Sequence, residues 1–254
     1  MNQQAERSSN IISDFIESYF ERRMARILLL GMISGFPWVL IASSLSLWLK
    51  EEGLSRSTIG WAGLIFAVYG FNWLWAPLID RLRVPVLTDR LGHRKAWILI
   101  LQALILVCIL FWSTIDPVSS LALVIGAGLV IAICSATQDI TIDALRIEQI
   151  DKDDARGMAA GAAVAVVGWW SGYKLGGMAA LFMADYLETA GVANYWQMTF
   201  IFLAVLVVLC NVGLLFIPEI GTRERVERQR QAQQAIADKT VSYTHLRAHE
   251  TSTY

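Results

Sequence analysis

Two acids stand four residues apart at the end of a long uncharged run. On a helix, Asp139 and Asp143 share one face, one turn apart, and Arg146 follows three residues later on the same side. A carboxylate on an apolar helix is costly unless it has a partner. Two chemistries suit the pair. One is a site that takes up and releases protons. The other is an ion-pair latch to Arg81, Arg90 or Arg94 in a basic loop elsewhere in the chain. The uncharged stretch 118–138 ahead of Asp139 is long enough to cross a bilayer. That spacing sets the acids near one membrane interface, where the latch is the favoured reading.

A lone ammonium interrupts another apolar run. Lys174 lies about 27 Å along a helix from Arg156, at 1.5 Å per residue, which places it in the outer half of a membrane. Ala163, Val167, Trp170 and Lys174 fall on one helical face. Gly168, Gly172 and Gly176 form a separate stripe suited to close helix packing. An ammonium beside an indole can hold an anionic group while the ring stacks on a sugar, so Lys174 and Trp170 are candidate substrate-binding residues. The alternative is an ammonium that snorkels to the outer headgroups.

The elements that must carry these groups are membrane helices. Of 254 residues, 56% are hydrophobic and only 17% charged, and the mean hydropathy is +0.49. A soluble domain carries about 25% charged residues. Six uncharged runs cover 27–49, 57–79, 96–115, 118–138, 157–183 (interrupted by Lys174) and 195–218. Each reaches the roughly 20 residues that cross a 30 Å hydrocarbon core, and only helices satisfy their own backbone there. Lys and Arg set the orientation. They crowd the N-terminus, the second and fourth loops and the tail, whereas Lys50 and Arg56 alone mark the opposite side. Basic loops stay inside, so both termini are expected in the cytoplasm.

The domain plan has four parts. Residues 1–26 form a cytoplasmic N-terminus whose stretch 10–20 is amphipathic and suited to lying on the membrane surface. Residues 27–218 form a six-helix transmembrane bundle. Residues 219–240 are a charged, Gln-rich cytoplasmic linker. Residues 241–254 shift in composition and read as a non-native tail, excluded from fold reasoning. Cys108, Cys134 and Cys210 are scattered through apolar runs and fit packing roles. No Gly-x-Ser-x-Gly, His-Glu-x-x-His or paired-His arrangement is present, which disfavours a membrane enzyme. No cofactor, metal or nucleic-acid partner is expected.

Several segments together carry a family likeness. Asp80-Arg81 opens the second loop, which continues to Asp89-Arg90-x-Gly92-x-Arg94-Lys95. This order, after the second of six spans, resembles the loop between helices 2 and 3 of the major facilitator superfamily. Gly35-Phe-Pro-Trp-Val-Leu, Trp73-Leu-Trp-Ala-Pro-Leu-Ile-Asp-Arg81, Cys134-Ser-Ala-Thr-Gln-Asp-Ile-Thr-Ile-Asp-Ala144 and Gly161-Ala-Ala-Val-Ala-Val-Val-Gly168 resemble its AmpG-type muropeptide permeases. The resemblance implies an all-α membrane protein with six transmembrane helices, one half of a major facilitator fold. It implies proton-driven import of a cell-wall sugar–peptide across a bacterial inner membrane, with solute, protons and the lipid bilayer as partners. It also implies a second, C-terminal six-helix half, and so a truncated chain. Two departures stand out. Asn72 is the nearest polar residue where the family often has Lys, which makes it a third candidate substrate contact. Trp169-Trp170-Ser171-Gly172 replaces a Tyr-Arg-Leu-Gly pattern, and a basic residue returns as Lys174. A gating role is expected for Asp80, Arg81, Asp89, Arg90, Arg94, Asp139 and Asp143. The alternatives are a six-helix carrier complete as it stands, a carrier of another solute class, and a non-functional fragment.

Overall fold

The first apolar run begins as a helix and then changes its winding. Helix α1 spans Arg22–Trp38 and contains Pro37. Proline removes a backbone donor, and the chain continues as a π-helical stretch, Val39–Ser44, before α2 resumes at Leu45–Glu51. The computed structural model describes residues 19, 21–151 and 153–219, and the described residues contain helices and loops but no strand. Apart from Tyr19, the expected interfacial helix at 10–20 lies outside them. So do the linker and tail beyond Glu219.

The second apolar run is broken into pieces. Helix α3 (Arg56–Ala62), a 3-10 stretch (Gly63–Ala67), α4 (Val68–Phe71), a second 3-10 stretch (Asn72–Leu74) and α5 (Ala76–Arg81) follow end to end. Glycines at 60, 63 and 70 and Pro77 supply little helix propensity here. A short helix α6 (Leu87–Leu91) lies in the basic loop. Long helices then follow: α7 (His93–Trp112), α8 (Leu121–Ile147), α9 (Ala155–Thr189) and α10 (Tyr195–Leu215).

Four of the described helical stretches are long and apolar enough to cross a membrane: Arg22–Glu51, His93–Trp112, Leu121–Ile147 and Tyr195–Leu215. The other two expected spans differ in kind. The second is the segmented run 56–81. The fifth is α9, 35 residues long, which carries Lys174, Asp185 and Glu188 among its apolar residues.

Helix α9 packs on α1 more closely than side chains would permit. A Cβ on Gly31 would meet the Ala165 carbonyl and the Gly168 Cα, and one on Gly35 would fall on the Trp169 carbonyl. From the other side, a Cβ on Gly168 or Gly172 would strike the α1 backbone at Leu28 or Met32. Gly168 and Gly172 of the stripe read from the sequence thus form a backbone-to-backbone seam, while Gly176 faces the Phe36 and Val39 side chains. At the opposite end of the bundle, aromatic rings fill the core. Phe200 lies with its ring centroid 4.9 Å from that of Trp48 and 5.3 Å from that of Trp112. The Trp112 indole donates to the Val124 carbonyl at 3.0 Å. The Glu51 carboxylate accepts from the Tyr195 hydroxyl and the Trp196 indole, which ties α2 to α10.

The start of α9 is fixed by Asp154. Its side chain accepts from the Gly157 amide at 2.7 Å and pairs with Arg23 of α1 at 2.8 Å. The Gly157 amide, and then Arg23, hold this carboxyl below the usual aspartate range.

Two outcomes follow. Gly35→Leu should separate α1 from α9 and cost about 1–3 kcal/mol, seen as a lower melting temperature in detergent, whereas Gly60→Leu, which meets nothing nearby, should not. Equal melting of both variants would refute the seam. Asp154→Ala should destabilise the protein at neutral pH. A depressed folded pKa gives stability that is present above the unfolded value, near 3.9, and is lost as pH falls through the folded value. The difference in melting temperature from wild type should therefore shrink on acidification below about pH 4. A difference independent of pH would contradict the cap.

Candidate functional site

Two consecutive residues of α8 address two consecutive residues of α1. The Asp139 carboxylate accepts a hydrogen bond from the Ser34 hydroxyl at 2.5 Å. The neighbouring Gln138, fully buried, donates to the Ile33 carbonyl at 3.0 Å and accepts from Gln102 of α7 at 2.7 Å. A buried amide with both ends satisfied fixes the register of three helices. That register brings Asp139 to Ser34.

The pair opens into a cavity of about 410 Å³ between α1, α8 and α9. Its lining includes Gly31, Ser34, Asp139, Asp143, Arg146 and Trp169. Asp143 is exposed and pairs with Arg146 at 3.1 Å, three residues along the same helix. Trp169 joins this cavity to a wall of rings. Its ring centroid lies 5.5 Å from that of Trp38, 5.1 Å from Trp170 and 5.8 Å from Tyr173. Trp38 continues the wall to Tyr69, 4.7 Å away. The Trp38 indole N–H has no hydrogen-bond partner among the described residues.

Lys174 stands at the far end of that wall. Its ammonium lies 5.6 Å from the Trp170 ring centroid and 5.4 Å from that of Tyr173. Ala163, Val167, Trp170 and Lys174 are all exposed, on the face that the helical spacing predicts. Asn72 is not part of this group. It sits in the second 3-10 stretch and donates to the Ala136 carbonyl of α8 at 3.5 Å. Nearby, the Trp75 indole donates to the Thr137 hydroxyl at 3.0 Å.

The ion pairs correct the latch expected from the sequence. Neither Asp139 nor Asp143 pairs with Arg81, Arg90 or Arg94. Arg94 instead binds Glu148 at 2.8 Å and Asp80 at 3.2 Å. The basic loop is therefore tied to the end of α8, but through a different acid. The reason is reach. Asp139 lies about 13 Å deeper along the helix than Glu148, at 1.5 Å per residue. Asp143 meets Arg146 on its own helix. Arg81, Asp89 and Arg90 are exposed, with no ion pair to another described residue. His93 bonds the Ile79 carbonyl at 3.1 Å through a ring nitrogen, which joins the loop to α5. Among the described residues no cluster could hold a metal ion.

Sequence reasoning missed Ser34 and Glu148 and gave no role to Gln102, Gln138 or Trp169. Ser34 left a trace, as a hydroxyl between Gly31 and Gly35 in an otherwise apolar stretch. Gln102 and Gln138 are polar residues inside uncharged runs, and their pairing across two helices needs the fold to be seen.

The description Major Facilitator Superfamily matches residues 27–250. The anhydromuropeptide permease of Escherichia coli (strain K12) is 35% identical over 208 residues, which cover 82% of this chain and 40% of that protein. The Rickettsia felis protein named AmpG 4 is 33% identical over 207 residues, covering 82% of this chain and 47% of that protein. The chain spans about half the length of the curated relatives it matches. These likenesses mark a multi-pass membrane protein of a transporter family rather than an enzyme. The helical bundle and these matches agree: the chain belongs to the Major Facilitator Superfamily.

Proposed function

We propose that the chain forms one six-helix unit of a proton-coupled importer for a small anionic solute of the anhydromuropeptide class. The unit lies in a bacterial inner membrane, with both ends in the cytoplasm and residues 27–218 as its bundle. The segmented run 56–81 and helix α9 supply the second and fifth spans. Irregular backbone at membrane depth is tolerated where it lines a cavity, and Leu64 and Ala67 of the first 3-10 stretch line one of about 660 Å³. A second six-helix unit across the exposed face of α9 completes the alternating-access pair.

The observation that carries this reading is the Asp139 carboxylate, bonded to Ser34 and open to a cavity between three helices. Helix α8 is about 40 Å long against a hydrocarbon core of about 30 Å. Asp139, some 12 Å from its end, therefore lies inside the helix's membrane portion. An acid in that setting is a functional group by default. The Ser34 hydroxyl donates to the charged carboxylate and can turn to accept from the protonated one. The proton site thus sits where a charge change alters the contact between α1 and α8. Solute binding belongs to the other end of the ring wall. The Lys174 ammonium meets an anionic group, and Trp170, with Tyr173 beside it, offers a face to a sugar ring. The unpartnered Trp38 N–H supplies a donor between the two ends. The π turn after Pro37 gives α1 a place to bend as access changes.

The test is uptake of a labelled anhydromuropeptide by cells or vesicles carrying the intact protein. Asp139→Asn should reduce gradient-driven uptake by at least about tenfold and leave exchange at equal pH intact. Lys174→Ala should raise KM with little change in kcat. Wild-type uptake rates in Asp139→Asn would end the proton role, and an unchanged KM in Lys174→Ala would remove that residue from the solute site.

A further inference from the structure

A second cavity, of about 510 Å³, lies at the opposite end of the bundle from the basic loop. It is lined by Ser43, Ser46 and Lys50 from the π turn and α2, and by Leu54, Arg56 and Ile59 from the α2–α3 corner. Its two cations are the only basic residues on the side that the charge pattern assigns to the outside. Neither makes an ion pair with a described residue. Both are exposed. Of the two acids that follow Lys50, Glu51 is engaged by Tyr195 and Trp196 of α10, and Glu52 is exposed and not part of the cavity lining.

The winding of α1 decides where this cavity points. Residues four apart on an α-helix share a face, as do residues five apart across a π turn. Ser34, Trp38 and Ser43 therefore follow one another along one side of the chain, and Ser46 and Lys50 continue it through α2. The cavity is on the same side of this helical rod as the Ser34–Asp139 pair, roughly 24 Å further out at Lys50. A regular α-helix through 39–44 would turn the later residues away from that line.

We infer that Lys50 and Arg56 form an outer capture site for the carboxylate or phosphate of an amphiphilic solute whose apolar part rests on Leu47, Leu54 and Ile59. This extends the transport reading, since it assumes that this end faces outside. Two cations on a corner, one on each arm, can grip a planar anion from two directions, and the guanidinium can do so bidentately. Ser46 adds a hydroxyl below them, and the Ser43 hydroxyl, which donates to the Val39 carbonyl at 2.8 Å, adds an acceptor. Such a site raises the local concentration of an anionic solute ahead of Lys174, and its strength falls with salt.

The experiment reads Lys50 directly, without transport. The intact protein in nanodiscs of neutral phosphatidylcholine is acetylated with a water-soluble amine reagent, and modification is followed on the peptide that holds Lys50. N-acetylmuramic acid, which bears a carboxylate, should slow that modification by about threefold when present at twice its dissociation constant. Neutral N-acetylglucosamine should not, and Arg56→Gln should abolish the protection. Equal effects of the two sugars, or protection that survives Arg56→Gln, would overturn the site. Protection by phosphatidylglycerol in the nanodisc with none by the soluble acid would also overturn it, and would assign the two cations to lipid headgroups. If protection is seen while the intact protein shows no gradient-driven uptake, the transport reading fails and the capture site stands.

Discussion

The Asp139 carboxylate stands in an apolar bundle because Ser34 reaches it. Removing a charge from water costs several kcal/mol unless hydrogen bonds compensate, and a bond to a charged group contributes about 1.5–3 kcal/mol. One hydroxyl from α1 supplies such a bond. Gln138, Gln102 and the Ile33 carbonyl hold the same two helices in the register that permits it. The clasp is polar, short-ranged and specific. Slippage of α8 by one residue would leave a half-buried carboxylate and a buried amide both without these partners.

The clasp in turn depends on how near α9 comes to α1. Glycines on both helices let the backbones touch, which brings Trp169 against the cavity that Asp139 faces. From Trp169 the rings run to Trp38 on one side and to Trp170, Tyr173 and Lys174 on the other. The proposed proton site and the proposed solute site are thereby joined through packed aromatic contacts rather than through a shared charge. The opposite end of the bundle is tied separately, by Glu51 to Tyr195 and Trp196, and the basic loop by Arg94 to Glu148. Each end has its own fastening, as the proposed alternating access would require.

Much of this was legible in the residues. Hydropathy marked the apolar runs, since burial in lipid demands long uncharged stretches. Helical spacing separated the glycine face of α9 from its Trp170–Lys174 face, because side-chain direction in a helix is fixed by geometry. The partners of the acids were not legible. Asp139 bonds Ser34, 105 residues away, and the glycines beside that serine mark a close approach without naming its partner. The latch was placed on the wrong acids for a similar reason. Counting an uncharged run locates an interface to within a turn or two, and Glu148 rather than Asp143 fell within reach of Arg94. The segmentation of the run 56–81 also escaped the sequence, where glycines at 60, 63 and 70 could equally mark packing.

The central claim is that the Asp139 carboxyl changes its protonation when solute binds. Infrared difference spectroscopy on the intact protein tests it, by recording the C=O stretch of protonated carboxyl groups before and after addition of an anhydromuropeptide. The account predicts a solute-induced change in that band which vanishes in Asp139→Asn and survives in Asp143→Asn. A difference spectrum unaltered by Asp139→Asn would contradict it.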